Sequence, residues 1–279
     1  MTSTTITREN VTTLFPEVHT RLIGADIAPN ASPDTNGTTA APSDDLAGYD
    51  EEQIRLMDEV CIVLDQNDMP IGSASKKACH LMTNINQGLL HRAFSAFLFD
   101  PQTKKLLLQQ RASEKITFPD MWTNTCCSHP LAHPSETGNG DLASNVEGAK
   151  RAAQRKLGHE LGIQASQVPV SAFDFLGRIH YLAPSDGKWG EHEIDYILFI
   201  EADVTLDINK NEVQDTRWVS PAELRQMFKD VESQSGNDKA LKYTPWFRLI
   251  CEGMLFDWWD KLIQGRLSEV AGETEIRRM

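Results

Sequence analysis

A succession of short apolar runs, each bounded by turn residues, constrains this chain most. Val60, Cys61, Ile62, Val63 and Leu64 form one such run, and its length and flanks predict a buried strand. The turn Asn67-Asp68-Met69-Pro70 follows, and Ile71 to Ala74 is expected to pair back as a hairpin. Arg92 to Asp100 (RAFSAFLFD) and Lys105 to Arg111 (KLLLQQR) read as two more strands, joined by Asp100-Pro101-Gln102-Thr103. Ala172 to Tyr181, Ile194 to Glu201 and Thr216 to Val219 continue the series. Helical periodicity is confined to a few stretches. Ser144 to Glu160 carries Val146, Ala149, Ala153 and Leu157 at spacings of three and four and stops at Gly162. Ser220-Pro221 opens a helix through Met227, with Glu223 at its third position. Pro245 to Ile263 reads as one long aromatic helix. Strands and helices are therefore mixed, most strands are joined by hairpins, and the class is α/β or α+β with a mixed sheet.

Order is expected to begin near Glu51. Residues 1 to 49 are rich in Thr, Ser, Pro, Asn and Ala and are expected to be a flexible or disordered tail, with Asn30 to Asp45 a linker. Val11, Leu14, Phe15, Leu22 and Ile23 are its only residues suited to docking. Residues 50–265 form the domain, and 266–279 are expected to be a C-terminal tail. The formal net charge of -13 disfavours nucleic acid or an anionic membrane as partner. No apolar run approaches the ~20 residues of a membrane span, and the threonine-rich start does not read as a secretory signal. Five cysteines, an odd number with two adjacent, fit free thiols in a reducing compartment. The cytoplasm is the expected location, with the peroxisome as alternative because Arg277-Arg278-Met279 loosely resembles a peroxisomal address.

Chemistry concentrates in Thr123-Asn124-Thr125-Cys126-Cys127-Ser128-His129-Pro130. If Cys127 to His129 is extended, their side chains share a side, so one pocket receives a thiol and an imidazole. Glu191 and Glu193 likewise share a face at the start of the strand HEIDYILFI. His80, His91 and His129 with these carboxylates would make a five- or six-coordinate nitrogen–oxygen site suited to Mn²⁺, Mg²⁺ or Zn²⁺. Spacing alone does not show that the five converge.

The helix Ser144 to Gly162 resembles an altered Nudix signature, G-x5-E-x7-R-E-U-x-E-E-x-G-U. Glu147, Arg155, Leu157, Glu160, Gly162 and Ile163 fall in register, while Asp141, Lys156 and His159 replace the first glycine and two glutamates. That pattern implies the fold without the hydrolysis. Further motifs carry a more specific resemblance: KKACH at 76 to 80, GLLHRAFSAFLF at 88 to 99, LLLQQRASEKITFPDMWTNTCCSHPL at 106 to 131, WGEHEIDYILF at 189 to 199 and TPWF at 244 to 247. Through them the chain resembles the type I isopentenyl-diphosphate Δ-isomerases, over roughly residues 50 to 265. The resemblance implies a Nudix-like mixed sheet flanked by helices, and isomerisation of isopentenyl diphosphate to dimethylallyl diphosphate. By motif, Cys127 matches the catalytic cysteine and Cys126 only its neighbour. Glu193 matches the second acid/base, and Tyr181 a tyrosine that assists protonation. His80, His91, His129, Glu191 and Glu193 match ligands of the catalytic divalent metal. Lys76, Arg111, Lys115 and Ser128 match residues on the diphosphate side, and Glu160 the group holding Mg²⁺ against the diphosphate. Trp246 matches an aromatic of the carbocation pocket, with Trp122 a second possible wall. The implied partner is a small prenyl diphosphate, no redox cofactor is expected, and the oligomeric state is left open.

Overall fold

The computed structural model describes residues 5–20, 44–233 and 241–279. Among the described residues the centre is one ten-stranded mixed sheet. β1 (Val60–Leu64) and β2 (Pro70–Ser75) form the expected antiparallel hairpin. β3 (Leu90–Phe99) is buried along its whole length, because it pairs with β1 on one side and lies parallel to β8 on the other. β4 (Leu106–Arg111) keeps one pair with β3, Phe99 with Leu106, and then diverges from the simple hairpin expected. It pairs instead with β5 (Trp122–Thr123) and β9 (Val213–Val219). The space beside β3 that β4 leaves is filled by β6 (Cys126–Ser128). β7 (Asp174–Pro184) and β8 (Gly190–Glu201) make the longest hairpin, and β10 (Ile276–Arg278) runs parallel to β7 at the edge.

The helix across one sheet face spans Leu142–Leu161. It starts earlier than the periodicity indicates because the Asp141 carboxylate accepts from the Ser144 N–H at 2.9 Å, a side-chain cap. It ends at Gly162 in the left-handed region, φ 67°, where a Cβ would lie 2.3 Å from the Asp207 carbonyl oxygen. Pro221–Ser233 runs past Met227. The long aromatic helix is interrupted: Pro245–Ile250 and Phe256–Ile263 flank a π-helical turn, Cys251–Leu255.

Both chain ends differ from the tails expected. Thr5 to Thr20 lies against the body. Val11–Leu14 forms a single helical turn, and Val11, Phe15 and Val18 are buried against Val63, Ile71, Ala78, Cys79 and Leu89. His19 and Ser73 exchange backbone hydrogen bonds of 2.8 and 2.9 Å. Gly72 permits this approach, since a Cβ there would come within 2.5 Å of Val18 Cγ1. Burial of these few apolar residues outweighs the polar composition around them. The expected linker lies outside the described residues except for Asp44 and Asp45, which open a 3-10 turn, and the docking candidates Leu22 and Ile23 also lie outside them. At the other end Arg277 and Arg278 belong to β10, and the Met279 N–H donates to the His180 carbonyl at 3.0 Å. No described helix is long and apolar enough to cross a membrane.

Asp68, in the β1–β2 turn at φ 67°, ties this hairpin to the sheet. Its buried carboxylate accepts from Arg92 (2.9 Å), Arg178 (2.7 Å) and the Tyr196 hydroxyl. Arg92 is next to His91, so the network fixes β3 where the site begins.

Candidate active site

Three strand pairings assemble the site. Parallel pairing of β3 with β8 sets His91 opposite Glu193. Antiparallel pairing of β7 with β8 sets Tyr181 opposite the same glutamate. Pairing of β3 with β6 sets Ser95 opposite Cys127. His80 arrives at the end of a one-turn helix, Lys76–His80, whose first turn is capped by the Ser75 hydroxyl accepting from the Ala78 N–H at 3.2 Å. His129 follows directly on β6.

The five expected ligands converge. One ligand atom from each of His80, His91, His129, Glu191 and Glu193 lies within 4.8 Å of all the others, and all five residues are buried. The His80 Nδ1–H donates to the Lys76 carbonyl at 2.6 Å, which leaves its Nε2 as a bare lone pair in the neutral tautomer. That nitrogen faces Glu191 Oε2 at 2.8 Å, yet neither atom has a hydrogen-bond partner. These two buried atoms, 2.8 Å apart and without hydrogen-bond partners, are placed for a shared cation. Nδ1 of His91 and Nδ1 of His129 are also without partners, while His91 Nε2 lies 3.2 Å from Glu193 Oε1. The orphaned atoms and the donor set of three imidazoles and two carboxylates fit a divalent metal.

Around this ring the protonation states diverge. Burial opposes the His91 cation, but the Glu193 carboxylate beside it, with Cys79 and Glu191, lifts it to about 9. Burial and the neighbouring imidazoles hold His129 neutral, well below the usual histidine range. Burial works against the Glu193 anion, yet His91 and the Tyr181 hydroxyl, which donates to Glu193 Oε2 at 2.5 Å, keep it ionised. Burial pushes the Cys127 thiol up to about 12, despite Arg111 at 3.8 Å from Sγ. The resting site therefore holds a protonated thiol and an ionised carboxylate.

Cys127, Tyr181, Glu193 and Trp246 line one pocket together with Lys76, Arg111, Lys115 and Ser128. Trp246 is aimed by its indole N–H, which donates to Asn124 Oδ1 at 3.2 Å, and Phe118 packs edge-on against it at 5.1 Å. Arg111 is fixed by donating to the Phe118 carbonyl (3.0 Å) and the Thr117 carbonyl (2.8 Å). Trp122 is not part of the lining; it is buried in the apolar cluster that Trp246 also joins. Cys126 faces away, fully buried, its thiol 3.4 Å from Glu160 Oε2.

Glu160 lies outside the five-residue ring. Its oxygens already have partners, with Lys156 Nζ at 3.2 Å and Gln109 Nε2 donating at 3.1 Å. The sequence reading also missed Glu212 and Asp195. Asp195 continues the Glu-x-Glu alternation by one more step, so its face was legible; burial and the Glu193 charge raise its pKa well above the carboxylate range. Glu212 sits in a polar loop stretch that carries no signal separating it from a solvated glutamate.

Residues 89–243 match the NUDIX domain. An isopentenyl-diphosphate delta-isomerase of Aspergillus fumigatus is 64% identical over 98% of this chain and 96% of its own length. That of Gibberella zeae is 59% identical over 100% of this chain and 97% of its own. That of Mesocricetus auratus is 48% identical over 85% of this chain and 100% of its own.

Proposed function

The chain belongs to the isopentenyl-diphosphate delta-isomerases, a family with a NUDIX domain, and on that premise we propose how its pocket divides the work. It isomerises isopentenyl diphosphate to dimethylallyl diphosphate in isoprenoid biosynthesis. Moving the double bond requires a proton added at the terminal alkene carbon and another removed from C2. Protonation of the alkene gives a tertiary carbocation at C3.

The resting protonation states support one direction of proton transfer. Cys127 holds a proton, and the ionised Glu193 offers a free lone pair. The thiol S–H gives its proton to the terminal carbon, and the electrons of that bond stay on sulfur, where Arg111 stabilises the thiolate. Glu193 takes the C2 proton, and the C2–H electrons form the new double bond. Tyr181, bonded to Glu193, orients the carboxylate and relays its proton onward. Exchange with solvent restores both groups. Trp246 offers the cation a buried π face. A divalent metal, Mg²⁺, Mn²⁺ or Zn²⁺, held by His80, His91, His129, Glu191 and Glu193 would lower the basicity of the carboxylates and fix their geometry. Lys76, Arg111, Lys115 and Ser128 receive the diphosphate directly. Glu160 is the residue proposed to help hold Mg²⁺ against the diphosphate, as its motif position implies. The cytoplasm is the compartment proposed, with the peroxisome as alternative because Arg277-Arg278-Met279 loosely resembles a peroxisomal address.

The convergence of Cys127 with the Tyr181–Glu193 pair on one pocket carries this reading. Turnover in D₂O tests it. Deuterium is expected in the methyl group formed from the terminal alkene carbon, with no release of inorganic phosphate. Product free of solvent deuterium would remove the acid and base roles of Cys127 and Glu193.

A further inference from the structure

Glu212 is almost fully buried, directly ahead of β9. Its Oε2 lies 2.5 Å from Lys115 Nζ and 3.7 Å from Lys156 Nζ. Its Oε1 accepts from Gln53 Nε2 at 2.9 Å. Gln53 is itself buried and also donates to the Asn211 side-chain oxygen at 2.7 Å. The carboxylate is thus gripped on one side by the helix Glu51–Leu56 and turned with its other oxygen toward two ammonium groups.

Of these, Lys115 lines the pocket beside Lys76 and Arg111. Cations crowded in a desolvated pocket disfavour one another. Burial pulls Lys115 below the lysine range, Glu212 opposes this, and Arg111 and Lys76 add to it. On the other partner, burial disfavours the Glu212 anion, but Lys115, Lys156 and Lys76 hold it well below the carboxylate range. An ammonium has three donors. Glu212 takes one and leaves two for phosphate oxygens.

We infer that Glu212 is a positioning residue for the diphosphate: it holds the Lys115 ammonium at the pocket wall without touching substrate. The inference rests on the reading that Lys115 meets the diphosphate. Removing the carboxylate has two opposed effects. It deletes a negative charge near the phosphates, which favours binding. It also strips a buried ammonium of its contact at 2.5 Å, so that the ammonium leaves the pocket wall or loses its proton. The second effect wins, because it removes a charge-assisted hydrogen bond to the ligand outright, while the first only reduces repulsion from a carboxylate already neutralised by two lysines.

The test uses the full chain loaded with Mn²⁺. Inorganic diphosphate binding is measured by calorimetry and steady-state constants with isopentenyl diphosphate, for the native protein, E212Q, K115M, the double variant and Q53L. E212Q is expected to weaken diphosphate binding and raise KM by roughly tenfold or more, with kcat within a few-fold. The double variant should bind no more weakly than K115M alone, since Glu212 acts through Lys115. Q53L, which removes no charge, should shift binding in the same direction by less, and it carries the comparison if E212Q does not fold. Binding by E212Q as tight as native beside a weakened K115M overturns the inference alone, as does strict additivity in the double variant. Unchanged binding by K115M overturns the assignment of Lys115, and the inference with it.

Discussion

Stripping the metal should destabilise the protein, and more so at pH 9 than at pH 6.5. In the metal-free chain the proton on His91 sits where the cation would. Burial opposes that proton, but Glu193, Cys79 and Glu191 lift its pKa from 6.5 to about 9. A group raised in this way contributes stability that is fully present below the unfolded value of 6.5 and is lost as pH rises through 9. At about 1.4 kcal/mol per unit, that contribution is roughly 3 kcal/mol. His129 is held neutral and does not titrate in this window. Metal binding has the opposite trend, because it needs His91 unprotonated and so tightens as pH rises. A cation at a hundred times its Kd stabilises by about 2.7 kcal/mol, and each kcal/mol shifts the melting temperature of a domain this size by about 2–4 °C. The gap between Mn²⁺-loaded and chelator-treated protein should therefore be on the order of 5–10 °C and should widen from pH 6.5 to 9. Scanning calorimetry at several pH values reads it directly. A gap that is absent, flat or narrowing with pH would refute the shared site, and His91→Ala should erase most of the slope.

Cys127→Ser should lower kcat by roughly 10²–10⁴-fold with the melting temperature unchanged, the range of a lost general acid. Cys126→Ser should stay within a few-fold of native, because that thiol faces the helix side; a dead Cys126 variant would shift the motif by one residue. Trp246→Leu should reduce kcat by about thirtyfold, the equivalent of a desolvated cation–π contact of about 2 kcal/mol. A loss confined to KM would show that Trp246 binds substrate without stabilising the cation. Phe15→Ala should cost about 3 kcal/mol or more in urea unfolding, as for other buried phenylalanines. An unshifted midpoint would mean that Thr5 to Thr20 does not dock in solution.

What the sequence disclosed and what it concealed follow from how far apart the interacting residues lie. Strand runs and the capped helix are local signals, so the elements around the sheet were legible to within a few residues. The docked N-terminal segment was not. Val11, Phe15 and Val18 are scattered among polar residues, with one helical turn between them, and the surface they cover is built from β1, β2 and the residues around His80 and Leu89. The same holds for Glu212, whose burial is created by Gln53, Lys115 and Lys156 from three separate segments. The one-residue spacings of Cys127 with His129, and of Glu191 with Glu193, were readable because a strand converts spacing into facing direction.

Strand pairing links these spacings to the core. On β8 the face that carries Glu191, Glu193 and Asp195 continues into Ile197 and Phe199, and on β3 the face with His91 and Ser95 continues into Phe97 and Phe99. Each strand is polar at one end of a single face and apolar at the other. Phe97 packs on Phe199 at 5.4 Å and Phe99 on Phe199 at 4.8 Å, so the apolar half fixes the alignment of the polar half. A slip of β3 by one residue against β8 would turn the β3 side chains to the opposite face, carrying His91 away from Glu193 to the side of the helix Leu142–Leu161. The apolar cost of that slip is what keeps His91 within reach of Glu191 and Glu193. The site's geometry is therefore a consequence of core packing several residues away.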